Sequence, residues 1–367
     1  MYRQVVIKIA KQLLVLSALV IAIATTISPI LNANAITTDV SSSPEATVPM
    51  DLGLMSPNFP TGKPPKNSEV LLGKDLFDDA VLSSNGQISC ATCHRSTHGF
   101  ADNRALSLGI NNQEGIRNTP TVWNAAFLDH LSWDGKNSSL EQQVLAALFN
   151  PKEMGLYPEL LKARVEKKYG QQLREIYGES SADSVAKAIA AYQRTMVAGD
   201  SPFDRYLYGK QQDAISQSAK RGFKIFLGEA RCVECHTIRC KECHPFGGST
   251  ALFTDNRFHN VGIGFNEKGI IEDLGRASIT ERPEDIGAFR TPTLRNIELT
   301  APYMHNGSLN TLEEVIDHYN KGGISNKNLD PEMHELNFSE RDKQDLIAFL
   351  KALTSVKLKA QIASQLK

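Results

Sequence analysis

The stretch Cys-Ala-Thr-Cys-His at residues 90–94 decides the fold of this chain. Its pattern is two cysteines three positions apart with a histidine directly after the second. The pattern returns at residues 232–236 and 240–244, so all six cysteines belong to such motifs. Two thiols at this spacing can add to the two vinyl groups of one haem, and the adjacent histidine then reaches the iron. A redox dithiol, a disulfide or half a zinc site needs no such histidine.

The first two motifs therefore predict covalently attached haem c, held by Cys90, Cys93, His94, Cys232, Cys235 and His236. The third motif, Cys240, Cys243 and His244, allows two interpretations. Only three residues separate His236 from Cys240, so two haems there would pack almost in contact. Either a third haem is attached, or Cys240 and Cys243 form a disulfide in an inserted loop.

Around the motifs, apolar residues recur at steps of three and four positions, which is the spacing of one helix face. The pattern begins near Ser68 and continues in residues 139–149, 160–177, 184–196 and 215–227. Ser339 is a predicted cap for a further helix near the C-terminus. Alternating strand patterns are scarce, and long loops rich in Gly, Asn and Pro separate the helices. We therefore predict a mostly α-helical fold with long loops.

A faint internal repeat predicts two related halves. Gly73-Lys74-Asp75-Leu76-Phe77 precedes the first motif, and Gly222-Phe223-Lys224-Ile225-Phe226 precedes the second. A Phe-x-Asp element follows each motif, at residues 100–102 and 253–255. We predict an N-terminal domain over residues 66–200 and a C-terminal domain over residues 201–357.

Residues 1–35 have the pattern of an export signal. Arg3, Lys8 and Lys11 precede an apolar run over residues 13–24, and Ala33-Asn34-Ala35 offers small residues for cleavage near Ala35. The run is shorter than the ~20 residues of a membrane span, which favours cleavage over a retained anchor. Residues 36–65 have the Ser, Thr, Pro and Gly content of a flexible linker. We expect a periplasmic protein in an oxidising compartment, with no membrane segment after cleavage.

The composition points away from charge-driven partners. The net charge is −1 and charged residues make up 22% of the chain, which gives no reason to expect nucleic-acid or membrane-surface binding. The sequence is compatible with a homodimer.

From about Val70 to Leu353 the chain resembles the bacterial di-haem cytochrome c peroxidases and their relative MauG, a tryptophan-modifying enzyme. The resemblance rests on the order and spacing of several segments. Besides the first motif, these are residues 117–121 (Arg-Asn-Thr-Pro-Thr), 133–135 (Trp-Asp-Gly), 151–155 (Pro-Lys-Glu-Met-Gly), 253–260, 291–296 and 300–307. It implies two cytochrome-c-like helical domains, each with a covalent haem c, and a calcium ion between them.

The resemblance also implies roles in the N-terminal half. His94 would be the proximal ligand of the peroxidatic haem. Glu153, twenty residues after Trp133, matches a carboxylate that moves a proton between the peroxide oxygens, as general acid–base catalysis requires. Gln143 matches a second polar pocket residue, and Trp133 matches a relay between the haems. Without the resemblance, Glu153 would be interpreted as a surface carboxylate and Trp133 as a core residue.

In the C-terminal half, His236 would be the proximal ligand of the electron-transfer haem. The second ligand is expected fourteen residues after His305, at Tyr319, where cytochrome c peroxidases have Met and MauG has Tyr. A capping box of Thr311 and Glu314 predicts a helix with Tyr319 on its apolar face. A phenolate ligand would favour the ferric state. A plain core tyrosine is the alternative.

Two further expectations follow from the resemblance. Asn118, Thr300 and Pro302 match calcium ligands, and oxygen atoms suit this hard cation. The loop at residues 109–117 contains no histidine, whereas typical relatives block the peroxidatic iron with a histidine from this loop. His98 follows His94 too closely to reach the opposite face of a haem. The first haem should therefore have an open position without reductive activation.

Together these features predict a peroxidase that reduces hydrogen peroxide with electrons from a small cytochrome c or copper protein. The first alternative is a MauG-like oxidase that acts on a protein or a small organic substrate, favoured by Tyr319 and the missing loop histidine. The second is a pure multihaem electron carrier. An open iron and Glu153 argue against it, because a carrier is best served by two filled axial positions.

Overall fold

The computed structural model describes residues 43–57, 59–238 and 251–366. Helices dominate these residues and strands are few, which confirms the prediction of a mostly α-helical fold. The strands are a two-residue antiparallel pair, β1 (Phe258–His259) and β2 (Phe289–Arg290). The helices are α1 (Asn67–Asp78), α2 (Cys90–Cys93), α3 (Leu140–Phe149), α4 (Pro158–Tyr177), α5 (Ala182–Arg194), α6 (Pro202–Leu207), α7 (Gln217–Leu227), α8 (Ala277–Thr280), α9 (Leu312–Asn320), α10 (Glu340–Lys351) and α11 (Val356–Gln365).

Serine residues begin several of the predicted helices. In each case the serine hydroxyl accepts a hydrogen bond from the backbone N–H three positions later, which satisfies a donor of the first turn. The serines are Ser139 before α3, Ser181 before α5, Ser216 before α7 and Ser339 before α10.

Two hydrophobic clusters form the core, one from residues between 72 and 196 and one from residues between 203 and 353. In the first, α1 crosses α5 so closely that a Cβ on Gly73 would lie 1.9 Å from Ala188 O. In the second, α7 crosses α10, and a Cβ on Gly222 would lie 1.8 Å from Asp345 O. The repeat seen in the sequence is therefore a repeated helix crossing that only glycine allows.

The repetition extends to two loops that share the pattern Thr-Pro-Thr-x-x-Asn, residues 119–124 and 291–296. Thr121 Oγ1 donates to Gly99 O at 2.5 Å, and Thr293 Oγ1 donates to Leu252 O at 2.6 Å. Each threonine thus ties its loop to the residue before the phenylalanine of a Phe-x-Asp element. The two loops hold equivalent positions in the two halves.

The asparagines that end these loops meet at one peptide group. Asn124 Nδ2 donates to Ala198 O at 3.1 Å, and its Oδ1 accepts from Ala198 N at 2.9 Å. Asn296 Nδ2 reaches the same Ala198 O at 3.4 Å. Both halves are therefore fastened to Ala198, which lies close to the predicted domain boundary between residues 200 and 201.

The segment over residues 43–57 packs against the body, although its composition predicts a flexible linker. Leu54 is buried against Val197 and Leu252, and Gly53 O accepts a hydrogen bond from Arg295 Nη2 at 2.9 Å. The Pro and Gly content that suggests mobility also suits an extended strap, and buried apolar side chains hold it in place.

In the part of the chain that the structure describes, no helix is both long and apolar enough to cross a membrane. The predicted export signal at residues 1–35 lies outside the described residues.

Candidate active site

The first motif presents His94 in a defined tautomer. Cys90 and Cys93 occupy the single turn of α2, and His94 ends that helix. His94 Nδ1 lies 3.0 Å from Phe100 O. A carbonyl oxygen only accepts hydrogen bonds, so Nδ1 carries the proton and the lone pair of Nε2 is free for an iron ion. Phe100 adopts the left-handed backbone conformation (φ 56°), which turns this carbonyl towards the ring.

The second motif repeats this geometry. His236 Nδ1 lies 2.9 Å from Phe253 O, and Phe253 has a φ of 55°. Burial lowers the pKa of both histidines, against the opposing effect of their carbonyl partners. Both rings are therefore neutral at pH 7, as a metal ligand must be.

The cysteines of these two motifs are free thiols in the structure. Burial raises the pKa of Cys90 and of Cys232 to about 12. Cys90 and Cys232 are consequently protonated, and each is followed three positions later by a second free cysteine. This donor set, two thiols and one neutral imidazole per motif, fits a covalently attached haem c at each site.

A cavity of about 220 Å³ lies beside the second motif. Cys232, Cys235 and His236 line it together with Tyr319. Its remaining wall is largely apolar, as a porphyrin ring requires, and includes Phe226, Leu312, Val315, Ile316, Leu346 and Leu350. The residues present therefore fit a haem between His236 and α9.

Helix α9 brings Tyr319 to this cavity. Thr311 Oγ1 accepts from Glu314 N at 3.1 Å, as expected of the cap. The predicted capping box is only half formed, because the Glu314 carboxylate accepts from Asn310 N rather than from Thr311 N. Burial raises the pKa of Tyr319, and the nearby Cys235 and Cys232 sulfurs add to the rise. This raised pKa favours the protonated phenol, and Tyr319 lines the same cavity as His236.

Trp133 lies where the two halves meet. Its Nε1 donates to Asn118 O at 2.8 Å, and its ring centroid is 6.4 Å from that of His305. Its backbone oxygen accepts from Arg290 N of the C-terminal half at 2.8 Å. The indole lines the same cavity as His236.

Gln143 is bound to Ser132, the residue that precedes Trp133. Its Oε1 accepts from Ser132 Oγ at 2.6 Å and from Asn137 Nδ2 at 2.9 Å. Because the oxygen is fixed by these two donors, the amide orientation is fixed as well.

Glu153 lies near the first motif. Burial raises the pKa of Cys90 and Cys93, and the charge of Glu153 adds to that rise, so the carboxylate is within electrostatic range of both thiols. Partial desolvation raises the pKa of Glu153 itself, against a hydrogen bond from Asn150 Nδ2 to Oε1 at 2.7 Å. The side chain remains accessible to solvent.

The histidine-free loop at residues 109–117 packs against the backbone of Glu153. Ile110 N donates to Glu153 O at 2.8 Å, and a Cβ on Gly109 would lie 1.9 Å from Lys152 O. This close packing fixes the loop against the backbone of Lys152 and Glu153.

Asn118, Thr300 and Pro302 all line the same cavity as His236 and Tyr319. Asn118 Nδ2 donates to Arg104 O and Ala105 O, each at 3.1 Å. No described residue donates a hydrogen bond to Asn118 Oδ1 or to the backbone oxygens of Thr300 and Pro302. Among the described residues no cluster of three His, Cys, Asp or Glu side chains could hold a metal. Amide and carbonyl oxygens of this kind fit Ca²⁺.

His305 was not singled out from the sequence. Its ring stacks on Phe289 with centroids 3.6 Å apart, and burial lowers its pKa to about 4. Arg117 lies nearby and binds Asp273 through two hydrogen bonds of 2.7 and 2.8 Å and Asp134 through one of 2.6 Å. Arg117 and Asp273 are 156 positions apart in the chain. No local sequence pattern therefore predicts that they meet beside His305. The residues of the third motif, Cys240, Cys243 and His244, lie outside the described residues.

Comparison with known proteins gives consistent matches. A family model described as di-haem cytochrome c peroxidase matches residues 67–212. The chain is 38% identical over 303 residues to methylamine utilization protein MauG of Methylorubrum extorquens, covering 80% of each protein. It is 32% identical to cytochrome c551 peroxidase of Nitrosomonas europaea over 311 residues, 82% of this chain and 86% of that one. A solved structure of a MauG-like protein associated with microbial copper homeostasis superposes with a TM-score of 0.75 at 31% identity, over 85% of this chain and 95% of that chain.

Proposed function

We propose that this chain, which belongs to the di-haem cytochrome c peroxidase and MauG family, reduces hydrogen peroxide at a haem held by Cys90, Cys93 and His94. The relatives confirm the resemblance predicted from the sequence, and they support a peroxidase-type oxidoreductase. Which residues act, and where, is our proposal.

One observation carries the assignment of roles to the two halves. His94 and His236 each bind a backbone carbonyl through Nδ1, but the surroundings of the two histidines differ. Glu153 lies within electrostatic range of the first motif, whereas Tyr319 shares a cavity with the second. A carboxylate with a raised pKa suits proton transfer, and a phenol suits axial ligation. The first site is therefore the peroxidatic one.

A haem bound at the first motif supplies the iron that binds peroxide and delivers electrons to it. The protein supplies the proton transfer. Glu153 Oε1 accepts a hydrogen bond from Asn150 Nδ2. The other carboxylate oxygen, Oε2, would take a proton from one oxygen of the peroxide and return it to the other oxygen. The raised pKa of Glu153 makes its carboxylate a stronger base for the first of these two transfers.

Trp133 is the proposed relay for electrons from the second site. It lies at the junction of the two halves and lines the cavity of His236. Its hydrogen bond to Asn118 O fixes the plane of the indole. Gln143 supports it indirectly, because it binds Ser132, the residue before Trp133. The electron donor would be a small cytochrome c or copper protein.

Glu153→Gln tests the acid–base role. We expect the reaction with peroxide, followed by rapid-mixing absorbance of the haem-loaded protein, to slow on the order of 10²-fold or more. Glu159→Gln, an exposed glutamate in the first turn of α4, is the matched control and should react as the wild type does. Equal rates for all three proteins would refute the role of Glu153.

A MauG-like oxidase is the second candidate, and Tyr319 favours it. A phenolate on the second iron would stabilise oxidised states, and a histidine-free loop beside Glu153 would leave the first iron open. An oxidase of this kind would hold its oxidising equivalents after peroxide addition until an organic substrate consumes them. The peroxidase would be favoured instead if a reduced cytochrome, without any organic substrate, rapidly restored the absorbance spectrum that the protein had before peroxide was added.

A calcium ion between the halves is part of the proposal. Asn118 Oδ1 and the backbone oxygens of Thr300 and Pro302 would bind it, since no described residue donates to them. Removing calcium with a chelator should slow the peroxide reaction, and calcium should restore it better than magnesium. Export to the periplasm, with cleavage near Ala35, completes the proposal and can be tested by the N-terminus of the mature protein.

A further inference from the structure

A trio of aromatic rings recurs in the two halves of this fold. It consists of Phe77, Phe100 and Tyr192 in the first half and of Phe226, Phe253 and Phe349 in the second. In the first half the Phe77 ring lies 6.1 Å from the His94 ring, 6.2 Å from Phe100 and 5.5 Å from Tyr192. In the second half the Phe226 ring lies 6.2 Å from Phe253 and 5.0 Å from Phe349. The trio connects the segment of each proximal histidine to the helix that crosses below it.

The helix crossings establish which residues correspond. Gly73 abuts Ala188 O and Gly222 abuts Asp345 O. Four positions further along each crossed helix stand Tyr192 and Phe349. The same place in the two halves is therefore occupied by an oxidisable phenol at the peroxidatic site and by an inert phenyl ring at the other.

The surroundings of these two rings also differ. Phe349 is fully buried, whereas Tyr192 is partly exposed. Burial raises the pKa of Tyr192, and the charge of Asp78 raises it further. Partial exposure suits oxidation of a phenol, because the hydroxyl proton must leave with the electron and water can accept it.

We propose that Tyr192 is a redox-active relay that donates one electron across the Phe77 ring to the peroxide-oxidised site at His94. This inference rests on the proposed peroxidase function. The O–H bond of Tyr192 breaks, its proton passes to water at this partly exposed side chain, and a tyrosyl radical remains. The reduction of peroxide to two water molecules consumes two electrons and two protons, and Tyr192 supplies one of those electrons when the second site does not.

Trp123 is the competing oxidisable ring in this cluster. Its centroid lies 5.7 Å from that of Phe100, and it is thus close to the same histidine segment. Its Nε1 is buried without a hydrogen-bond partner among the described residues. An indole radical cation at Trp123 could not release its Nε1 proton. The stable radical is therefore expected on Tyr192 rather than on Trp123.

The test mixes the haem-loaded protein with hydrogen peroxide, freezes it within milliseconds, and records electron paramagnetic resonance and absorbance spectra of the same samples. The wild type should give a tyrosyl signal. Tyr192→Phe should abolish it and prolong the lifetime of the oxidised haem spectrum several-fold. Trp123→Phe is the matched control and should keep the tyrosyl signal.

The two readouts separate this inference from the function on which it rests. If the haem absorbance does not respond to peroxide, the peroxidase proposal fails and the relay with it. If the haem responds but no tyrosyl signal forms, or if the signal survives in Tyr192→Phe, only the relay is refuted. A tryptophan-type signal that disappears in Trp123→Phe would also refute it.

Discussion

Arg295→Met should be among the most damaging single substitutions outside the haem sites. The Arg295 side chain is 1% exposed and its partner Asp204 is 0% exposed. Its guanidinium binds both carboxylate oxygens of Asp204 at 2.7 and 2.8 Å, and it also donates to Ala251 O at 2.5 Å and Gly53 O at 2.9 Å. The Arg295 side chain thus joins the segment over residues 43–57, helix α6 and the residues directly before Phe253.

The expected loss follows from what remains after the substitution. Asp204 keeps hydrogen bonds from Ser201 N and Oγ, both at 2.8 Å, but its charge would be buried without a counter-ion. Breaking a buried ion pair on one side costs about 3–5 kcal/mol of folding free energy. The Ala251 and Gly53 oxygens would also lose their donor, which places the expected value at the upper end of this range.

A matched control stands next to this pair. Arg205 binds Asp200 through two hydrogen bonds of 2.9 and 2.7 Å, but the two side chains are 38% and 41% exposed. Arg205→Met should therefore change the free energy of unfolding by about 0–1 kcal/mol. Both variants would be measured as haem-loaded protein by urea unfolding, followed by circular dichroism of the helices.

Two results would refute this reasoning. One is a loss in Arg295→Met no larger than that in Arg205→Met. The other is a double variant, Arg295→Met with Asp204→Leu, that is no more stable than Arg295→Met alone, because replacing both charges by apolar groups should recover much of the loss.

Three further outcomes are expected. Tyr319→Phe should raise the reduction potential of the second haem, since loss of an anionic ligand disfavours the ferric state; an unchanged potential in spectroelectrochemical titration would show that Tyr319 is a core residue. The rate of the peroxide reaction should fall as the pH drops through the raised pKa of Glu153, because the protonated carboxyl cannot accept the first proton. The fall should begin at a higher pH than for an ordinary glutamate, and a profile that is the same in Glu153→Gln would contradict this cause. Gly222→Ala should lower the stability of the second half by about 1–3 kcal/mol in thermal unfolding, while Gly115→Ala, where the nearest atom is 3.4 Å from an added Cβ, should change it little.

The sequence predicts the parts of this site that are local in the chain. The motifs at residues 90–94 and 232–236 each contain two cysteines and a histidine within five residues, so their spacing is sufficient to predict a haem site. Tyr319 is similarly accessible to prediction, because the helical spacing of α9 and its threonine cap place the residue on the apolar face. The Gly-x-x-x-Phe repeat is also visible, although its reason, a backbone approach below 2 Å for any Cβ, is not.

Other parts depend on contacts that no local pattern carries. The carbonyl partners of the proximal histidines require positive φ at Phe100 and Phe253, an unusual conformation for a bulky residue. Arg295 and Asp204 are 91 residues apart, and the burial of Leu54 arises only when residues 43–57 meet the folded body. The composition of that segment predicted mobility because Pro and Gly are common both in linkers and in extended straps.

The shared anchor at Ala198 has a consequence for the kinetics of electron movement. Asn124 and Asn296 fasten the two halves to one peptide group, so the relative position of the two redox centres does not depend on a hinge or on docking of two bodies. A fixed separation gives one rate constant for transfer between the centres rather than a spread of values. Flash-initiated electron transfer within this protein should therefore decay as a single exponential whose rate is insensitive to solvent viscosity.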